Sequence, residues 1–333
     1  MSLFTEQINN WDDWGKIFQS IPAFTPLIEH IMTKEKLLFS EIENLKPGAN
    51  AVFKVGDYVV KIFMPLGVGR EFGTNVDTEL FGMRLANLQG VPSPKLIADG
   101  VVEDKYDFRY MIMEYIHGKT LGDIESDLSY EDKISIGKQI RSITDKINVP
   151  CENFTDIDVM EHALNDIEWE NERFPASFQA ERLKILADFR IDEKDKVYCH
   201  GDFHCENVLV DDNLNVYLID FADAMYAPTG YEEMYVVSAL FCFEKPYMVG
   251  YYDGDYAVEN IVDLCMTWYP IHVWGHSTAS EHLKPIDEIV SFAVMRERLH
   301  KLIGMLAGAT KHIGEFYCPD GVVVFKLEAC HNE

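Results

Sequence analysis

The sequence predicts an α+β chain in two lobes, a β-rich first third followed by a mostly helical remainder. Three observations carry this. Short β-rich apolar runs cluster between Leu37 and Tyr115. Ile136, Ile140, Ile143 and Ile147 fall at i, i+4, i+7 and i+11, one face of a helix, and open a series of helical segments. A single β island, Val197 to Asp220, interrupts that series. The division predicted is residues 1–115, with 1–35 as a helical extension, and residues 116–333.

The elements follow in order. Residues 1–35 alternate apolar clusters (Trp11, Trp14, Phe18, then Leu27, Ile28, Ile31) with polar ones, which predicts short helices. Leu37 to Leu45 reads as a strand and Pro47–Asn50 as a turn. Ala51–Val55 and Tyr58–Phe63 are two strands joined by Gly56-Asp57, a two-residue hairpin signal. Thr74–Gln89 reads as a helix, with Asp77 and Glu79 suiting the positive end of its dipole and Gly90 closing it. Lys95–Val102 and Phe108–Tyr115 complete the strands. Beyond Gly118 and Gly122, helices are expected near 136–147, 158–171, 178–189, 231–243, 256–268 and 286–307.

Composition narrows the function. The 333 residues are 47% hydrophobic and 12% aromatic, enough for a sizeable core. Lys plus Arg is 29 and Asp plus Glu is 56, a net charge of −27. Such a surface repels phosphate backbones and anionic lipid, so neither nucleic acid nor membrane is expected as a partner, whereas a cationic small molecule is attracted. Seven cysteines show no framework spacing, which suits a reducing cytoplasm. Glu6, Asp12 and Asp13 interrupt any leader-like apolar stretch. The most apolar run, Met234 to Phe243, is about half a membrane span.

The β island carries the chemistry. His200-Gly201-Asp202 is followed by Asn207, and a hairpin (Val208–Val210, a turn at Asp211–Asn213, Val216–Ile219) delivers Asp220 thirteen residues later. A hairpin of that length returns its second strand to where the first began. Asn207 and Asp220 are thus expected close together, with Asp202 on the preceding loop. A carboxylate and a carboxamide oxygen are hard ligands suited to Mg²⁺. Asp202 is left to orient a hydroxyl and take its proton, a division of labour that phosphoryl transfer requires.

The H-G-D-x-x-x-x-N run at His200–Asn207 and the D-F-x-D-A run at Asp220–Ala224 resemble the signature of the aminoglycoside phosphotransferase and choline kinase group. The resemblance covers the chain from about Leu37 to about Phe243. It implies a protein-kinase-like bilobal fold, whose small lobe is an antiparallel five-stranded sheet plus a helix. It implies an ATP- or GTP-dependent kinase, with Asp202 catalytic, Asn207 and Asp220 holding Mg²⁺, and Lys61 gripping the phosphates. Glu79, or its rival Glu71, would steady Lys61. The backbone of Glu114 and Ile116 in the run Met113–Gly118 would contact the purine. Pro47–Asn50 would stand in the place of the nucleotide-covering loop.

Departures from protein kinases point to a small-molecule acceptor. Gly201 replaces an Arg, Ala222 replaces a Gly, no A-P-E run follows, and only about a dozen residues separate Asp220 from the next helix. Within the group, a structural Asp is expected after Ala224, yet Pro228–Glu233 offers only Glu232 and Glu233. Residues 152–172 carry eight acids and no Lys or Arg. Such a run is ordinarily a solvated helix face, and the resemblance implies that part of it binds ammonium groups of the substrate. The charge balance and the motif set favour a cationic acceptor, first an aminoglycoside-type antibiotic (hence a role in antibiotic resistance), then choline, an amino alcohol or a sugar amine. Asp223, Glu168, Trp268 and Trp274 are the candidate acceptor contacts, with Trp169 and Tyr269 as further aromatics. His200 is read as structural. Zinc readings of His204 with Cys205, and of His272 with His276, fail for want of further ligands. A non-catalytic nucleotide-binding protein is the contrasting reading, and it predicts loss of Lys61, Asp202 or Asp220.

Overall fold

Strand alternation decides what the first sheet does with its two faces. The computed structural model describes residues 2–46, 48–66, 76–254 and 256–308. The chain forms two compact units: Met1–His117 with Asp220–Asp223, and Gly118–Ile219 with Ala224–Glu333. The first begins with α1 (Trp11–Ile17) and α2 (Ile21–Lys34), then β1 (Ile42–Asn44), β2 (Ala51–Val55), β3 (Tyr58–Ile62), α3 (Val76–Gln89), β4 (Leu96–Glu103) and β5 (Asp107–Glu114). The five strands form one antiparallel sheet in the order β1-β2-β3-β5-β4.

One face of that sheet is covered by the chain's own first 35 residues. Phe4, Ile8, Trp14, Phe24, Leu27, Ile28, Ile31 and Met32 share a core with Phe53, Val55, Val60, Ile62, Phe108, Tyr110 and Ile112. The side-chain period of two then sends Lys61, which lies between Val60 and Ile62, to the other face. The Gly56-Asp57 turn stands as expected, with Gly56 at φ +64°, a conformation glycine adopts without steric cost. The first strand is shorter than the predicted Leu37–Leu45. Lys36 leaves α2 at φ +59°, and Leu38 and Phe39 stay exposed, so pairing starts only at Ile42.

The second unit runs β6 (Lys119–Thr120), α4 (Leu121–Ile124), α5 (Tyr130–Ile147), α6 (Val159–Asn165), α7 (Glu168–Asn171), α8 (Ala176–Asp188), β7 (Lys196–Cys199), β8 (Val208–Val210), β9 (Val216–Leu218), β10 (Met225–Pro228), α9 (Thr229–Tyr235), α10 (Lys245–Tyr251), α11 (Val258–Trp268), α12 (Gly275–His282) and α13 (Phe292–Gly308). Ser129 and Asp132 form a capping box at the start of α5, and its four-isoleucine stripe is buried. Strands β6, β8 and β9 form one small sheet, and β10 pairs with β7.

Several boundaries differ from expectation. The helix expected at 158–171 breaks at Asp166–Ile167 into α6 and α7. The one expected at 231–243 passes from α9 into a π turn at Val236–Leu240, then stops where Cys242 and Phe243 take positive φ. Between the helices expected at 231–243 and 256–268, α10 forms around Pro246 and Gly250. Proline sits in its first turn, where no N–H is needed. Gly250 lets its backbone meet that of α5: a Cβ there would lie 2.1 Å from the Ile134 carbonyl oxygen. Among the described residues no helix is long and apolar enough to cross a membrane.

Candidate active site

In the first unit, Lys61 and Glu79 are almost fully buried, at 5% and 1% exposure. Lys61 Nζ donates to Glu79 Oε1 at 2.6 Å and to Asp220 Oδ1 at 3.1 Å. Glu79 reaches it from the first turn of α3, and Asp220 from the short segment that joins this unit. Burial works to depress the lysine, but the carboxylates of Asp220 and Glu79 override it and hold the ammonium well above the ordinary lysine range. Asp223 also lies within electrostatic reach of Glu79. The cluster therefore sets one buried cation among carboxylates. Glu71 and Pro47 lie outside the described residues.

The backbone expected to meet the purine begins at the end of β5 in the same unit. Tyr115 N–H donates to the Asp57 carbonyl (2.9 Å) and Glu114 N–H to the Lys95 carbonyl (3.0 Å). A strand residue points its N–H and C=O to the same side. The Glu114 carbonyl thus faces the β4 edge, where pairing ends at Leu96.

In the second unit, the loop between β7 and β8 carries Asp202 and Asn207. Gly201 takes φ +80°, a conformation that favours glycine over the arginine of protein kinases. The Asn207 carboxamide donates to the Asp202 carbonyl and to Asp202 Oδ2, both at 2.9 Å. Both N–H donors point at Asp202, which leaves the amide oxygen as the atom to meet a cation. His204 Nε2 lies 3.2 Å from Asp202 Oδ2, and Tyr235 O–H donates to Asp202 Oδ1 at 3.4 Å. The β8–β9 hairpin brings Ile219 back so that its N–H donates to the Asn207 carbonyl at 3.0 Å, and Asp220 is the next residue. His200 is wholly buried and its Nε2 bonds the Ile219 carbonyl, a structural tie.

These donors test the fit of a divalent metal. Among the described residues no three or more His, Cys, Asp or Glu side chains are grouped to hold a metal by themselves. A carboxylate on Asp220 and an amide oxygen on Asn207 instead suit Mg²⁺, which takes one or two protein oxygens and completes its shell with phosphates and water.

Two residues support the loop, one of the glutamates noted in the Pro228–Glu233 run and a tyrosine that sequence reasoning missed. Glu232, in α9, is 1% exposed and accepts from Gly201 N–H at 3.0 Å. Burial pushes its carboxyl up to about 8, although the backbone N–H groups of Gly201 and His200 pull the other way. A glutamate thus anchors the loop where an aspartate was expected. Tyr235 lies one turn further on. The legible signal was an acid and a tyrosine at i, i+3 in the first helix after the Asp-Phe run, which places both on one helix face.

The acceptor candidates are placed unevenly. Asp223 joins the Lys61 group. Glu168 is exposed on α7 and accepts from Asn171. Trp268 packs its indole over Gly230, where a Cβ would lie 2.2 Å from Nε1, and edges against Phe189 and Tyr231. Trp274 is half-buried with no partner for its indole N–H. Trp169 is sealed in the core by Phe174, Phe178 and the Arg182 guanidinium, and Tyr269 is equally buried, so neither offers a ring for stacking. His272 and His276 are buried too.

A family model described as the phosphotransferase enzyme family matches residues 42–257. No curated protein matches. Solved structures do. A choline/ethanolamine kinase family protein from Mesorhizobium loti is 16% identical at a TM-score of 0.50, over 85% of this chain and 96% of that one. The choline kinase LicA from Streptococcus pneumoniae is 16% identical at 0.50, over 85% and 99%. The ADP-bound aminoglycoside phosphotransferase APH(2'')-Ib is 15% identical at 0.51, over 84% and 98%. At these identities the likeness is one of fold, and the fold is protein-kinase-like.

Proposed function

Because the chain belongs to the phosphotransferase enzyme family, we propose that it moves the γ-phosphoryl group of ATP or GTP to a hydroxyl of a small cationic molecule. The observation that carries the reading is the buried Lys61, charged and held by Glu79 and Asp220. Two carboxylates keep this ammonium charged and fixed although it is out of water, so it can offer a placed positive charge to a phosphate chain. That structurally similar kinases are ADP-bound or in complex with GDP agrees with a nucleotide donor.

Asp202 orients the acceptor hydroxyl and takes its proton as the oxygen attacks the γ-phosphorus. The bond from that phosphorus to the bridging oxygen breaks, and the nucleoside diphosphate leaves. Asn207 holds the Asp202 carboxylate by one amide hydrogen, and its amide oxygen and the Asp220 carboxylate are the groups that would hold Mg²⁺. When bound, the ion neutralises charge on the phosphates. Lys61, steadied by Glu79, binds the α- and β-phosphates, and the backbone of Glu114 and Ile116 receives the purine.

The acceptor reading rests on the net charge of −27 and the acids of residues 152–172. Glu168 and Trp274 are its candidate contacts. An aminoglycoside comes first, which would make the enzyme a resistance factor of the cytoplasm. Choline, an amino alcohol or a sugar amine follows. The test is Asp202→Ala, assayed with both nucleotides against aminoglycosides, amino alcohols and a protein substrate. Turnover should fall by about 10²–10⁴-fold, with nucleotide affinity by calorimetry nearly unchanged. Undiminished turnover rejects the assignment.

A further inference from the structure

One face of α9 reaches the catalytic loop twice. Glu232 binds the loop backbone at Gly201, and Tyr235, three residues on, donates to the Asp202 side chain. Tyr235 is 4% exposed, so its hydroxyl is not a surface group that happens to lie near. Its ring is fixed from the side. His272 stacks on Tyr235 with centroids 4.4 Å apart and planes 12° apart. The same imidazole stacks on Tyr231, 4.1 Å away at 26°. Tyr231 and Tyr235 are i and i+4 on the helix, so the two phenols clip one imidazole between successive turns.

The imidazole is itself locked. The backbone N–H of Trp274 donates to His272 Nδ1 at 3.1 Å, which requires that nitrogen to be an acceptor and puts the proton on Nε2. Val273 N–H donates to the Tyr231 hydroxyl at 3.2 Å. Burial, with His276 and His162 adding to it, holds His272 well below its ordinary range, so the ring in the clip is neutral.

We propose that Tyr235 is a positioning residue for the phosphoryl-transfer reaction: its hydroxyl, fixed by the Tyr231–His272 stack, holds Asp202 Oδ1 and so sets the direction in which the carboxylate faces the acceptor. The inference rests on the reading of Asp202 as the base. Asn207 and His204 bind Oδ2, so Tyr235 supplies the contact to the other oxygen and stops the carboxylate from turning about its terminal bond. The 3.4 Å contact is long, as catalytic hydrogen bonds are before substrate arrives.

The experiment is a double-mutant cycle with Tyr235→Phe and Asp202→Asn. It uses the full chain, MgATP, and whichever aminoglycoside or amino alcohol is turned over fastest. Phenylalanine keeps the ring and its stack on His272 and removes only the hydroxyl. Tyr235→Phe should lower kcat about tenfold, leave both KM values within about twofold, and leave the melting temperature within a few degrees. Added to Asp202→Asn it should cost nothing further, because the group it positions is gone. A purely structural role predicts the opposite: a lowered melting temperature, and the same proportional loss in both backgrounds. Wild-type kcat in Tyr235→Phe, or a loss that persists on Asp202→Asn, overturns the positioning role while the base stands. Wild-type turnover in Asp202→Asn overturns the base itself.

Discussion

The two units hold their functional side chains by different physics. In the first, Lys61, Glu79 and Asp220 are tied by charge, with the ammonium and Glu79 taken almost wholly out of water. In the second, Asp202 is tied chiefly by neutral donors, the Asn207 amide and the Tyr235 hydroxyl, and its loop by a backbone N–H to Glu232. A buried charge fixes a group strongly but leaves an uncompensated partner if either is removed. Hydrogen bonds from neutral groups orient a carboxylate by direction, and losing one of them orphans no buried charge. The difference matches the tasks we propose for the two groups: Lys61 to hold an anion, Asp202 to face the acceptor.

The largest expected effect tests the charged side. Lys61→Met leaves Glu79 buried without its counter-ion, which should destabilise the chain by about 3–5 kcal/mol and abolish measurable nucleotide turnover. Adding Glu79→Gln removes the orphaned charge, so denaturant unfolding should show most of the stability restored with turnover still lost. A double variant no more stable than Lys61→Met would break the contrast.

The next effect tests the hydrogen-bonded side. Glu232→Ala leaves the Gly201 N–H without its acceptor and should cost about 1–3 kcal/mol, with a fall in kcat as the loop loosens. Glu232→Gln keeps the shape and sharpens the point through pH. The folded carboxyl titrates at about 8, above its ordinary value of 4.5. The folded chain therefore holds this proton more tightly than the unfolded one. Its contribution is fully present below about pH 4.5 and is lost as pH rises through about 8. The glutamine variant should unfold with a flatter dependence on pH across that window. An unchanged slope in thermal unfolding between pH 5 and 9 would show that Glu232 is not held protonated.

The smallest effect is a control far from either group. Gly15 lies inside α1, and a Cβ there meets nothing within 4 Å. Gly15→Ala should add about 0.5–1 kcal/mol of stability, seen as a small rise in melting temperature with turnover unchanged. A loss of activity would mean that the helices covering the first sheet act on the site in a way the contrast omits.

Much of this protein was legible in its residues. The hairpin around Gly56-Asp57, the isoleucine stripe of α5 and the Asp202, Asn207 and Asp220 spacing all rest on local periodicity and turn chemistry, which a sequence carries directly. A lysine on an apolar strand ahead of an acidic helix called for an acidic partner but left Glu79 and Glu71 as rivals, and the bond from Lys61 to Glu79 is read from the structure. The ends of elements were less legible, because partners set them: β1 starts where β2 can pair with it, and α10 survives its glycine because α5 packs against that backbone.

By itself, then, the sequence determined the order of the elements and the chemistry available at each position. Only the tertiary structure decided which face of the first sheet residues 1–35 cover, that Trp169 is sealed in the core, and that Glu232 and Tyr235 meet the loop that carries Asp202. The reason is that burial and hydrogen-bond partnership are relations between residues distant along the chain. Local pattern fixes which way a side chain points, but only packing determines what it meets there.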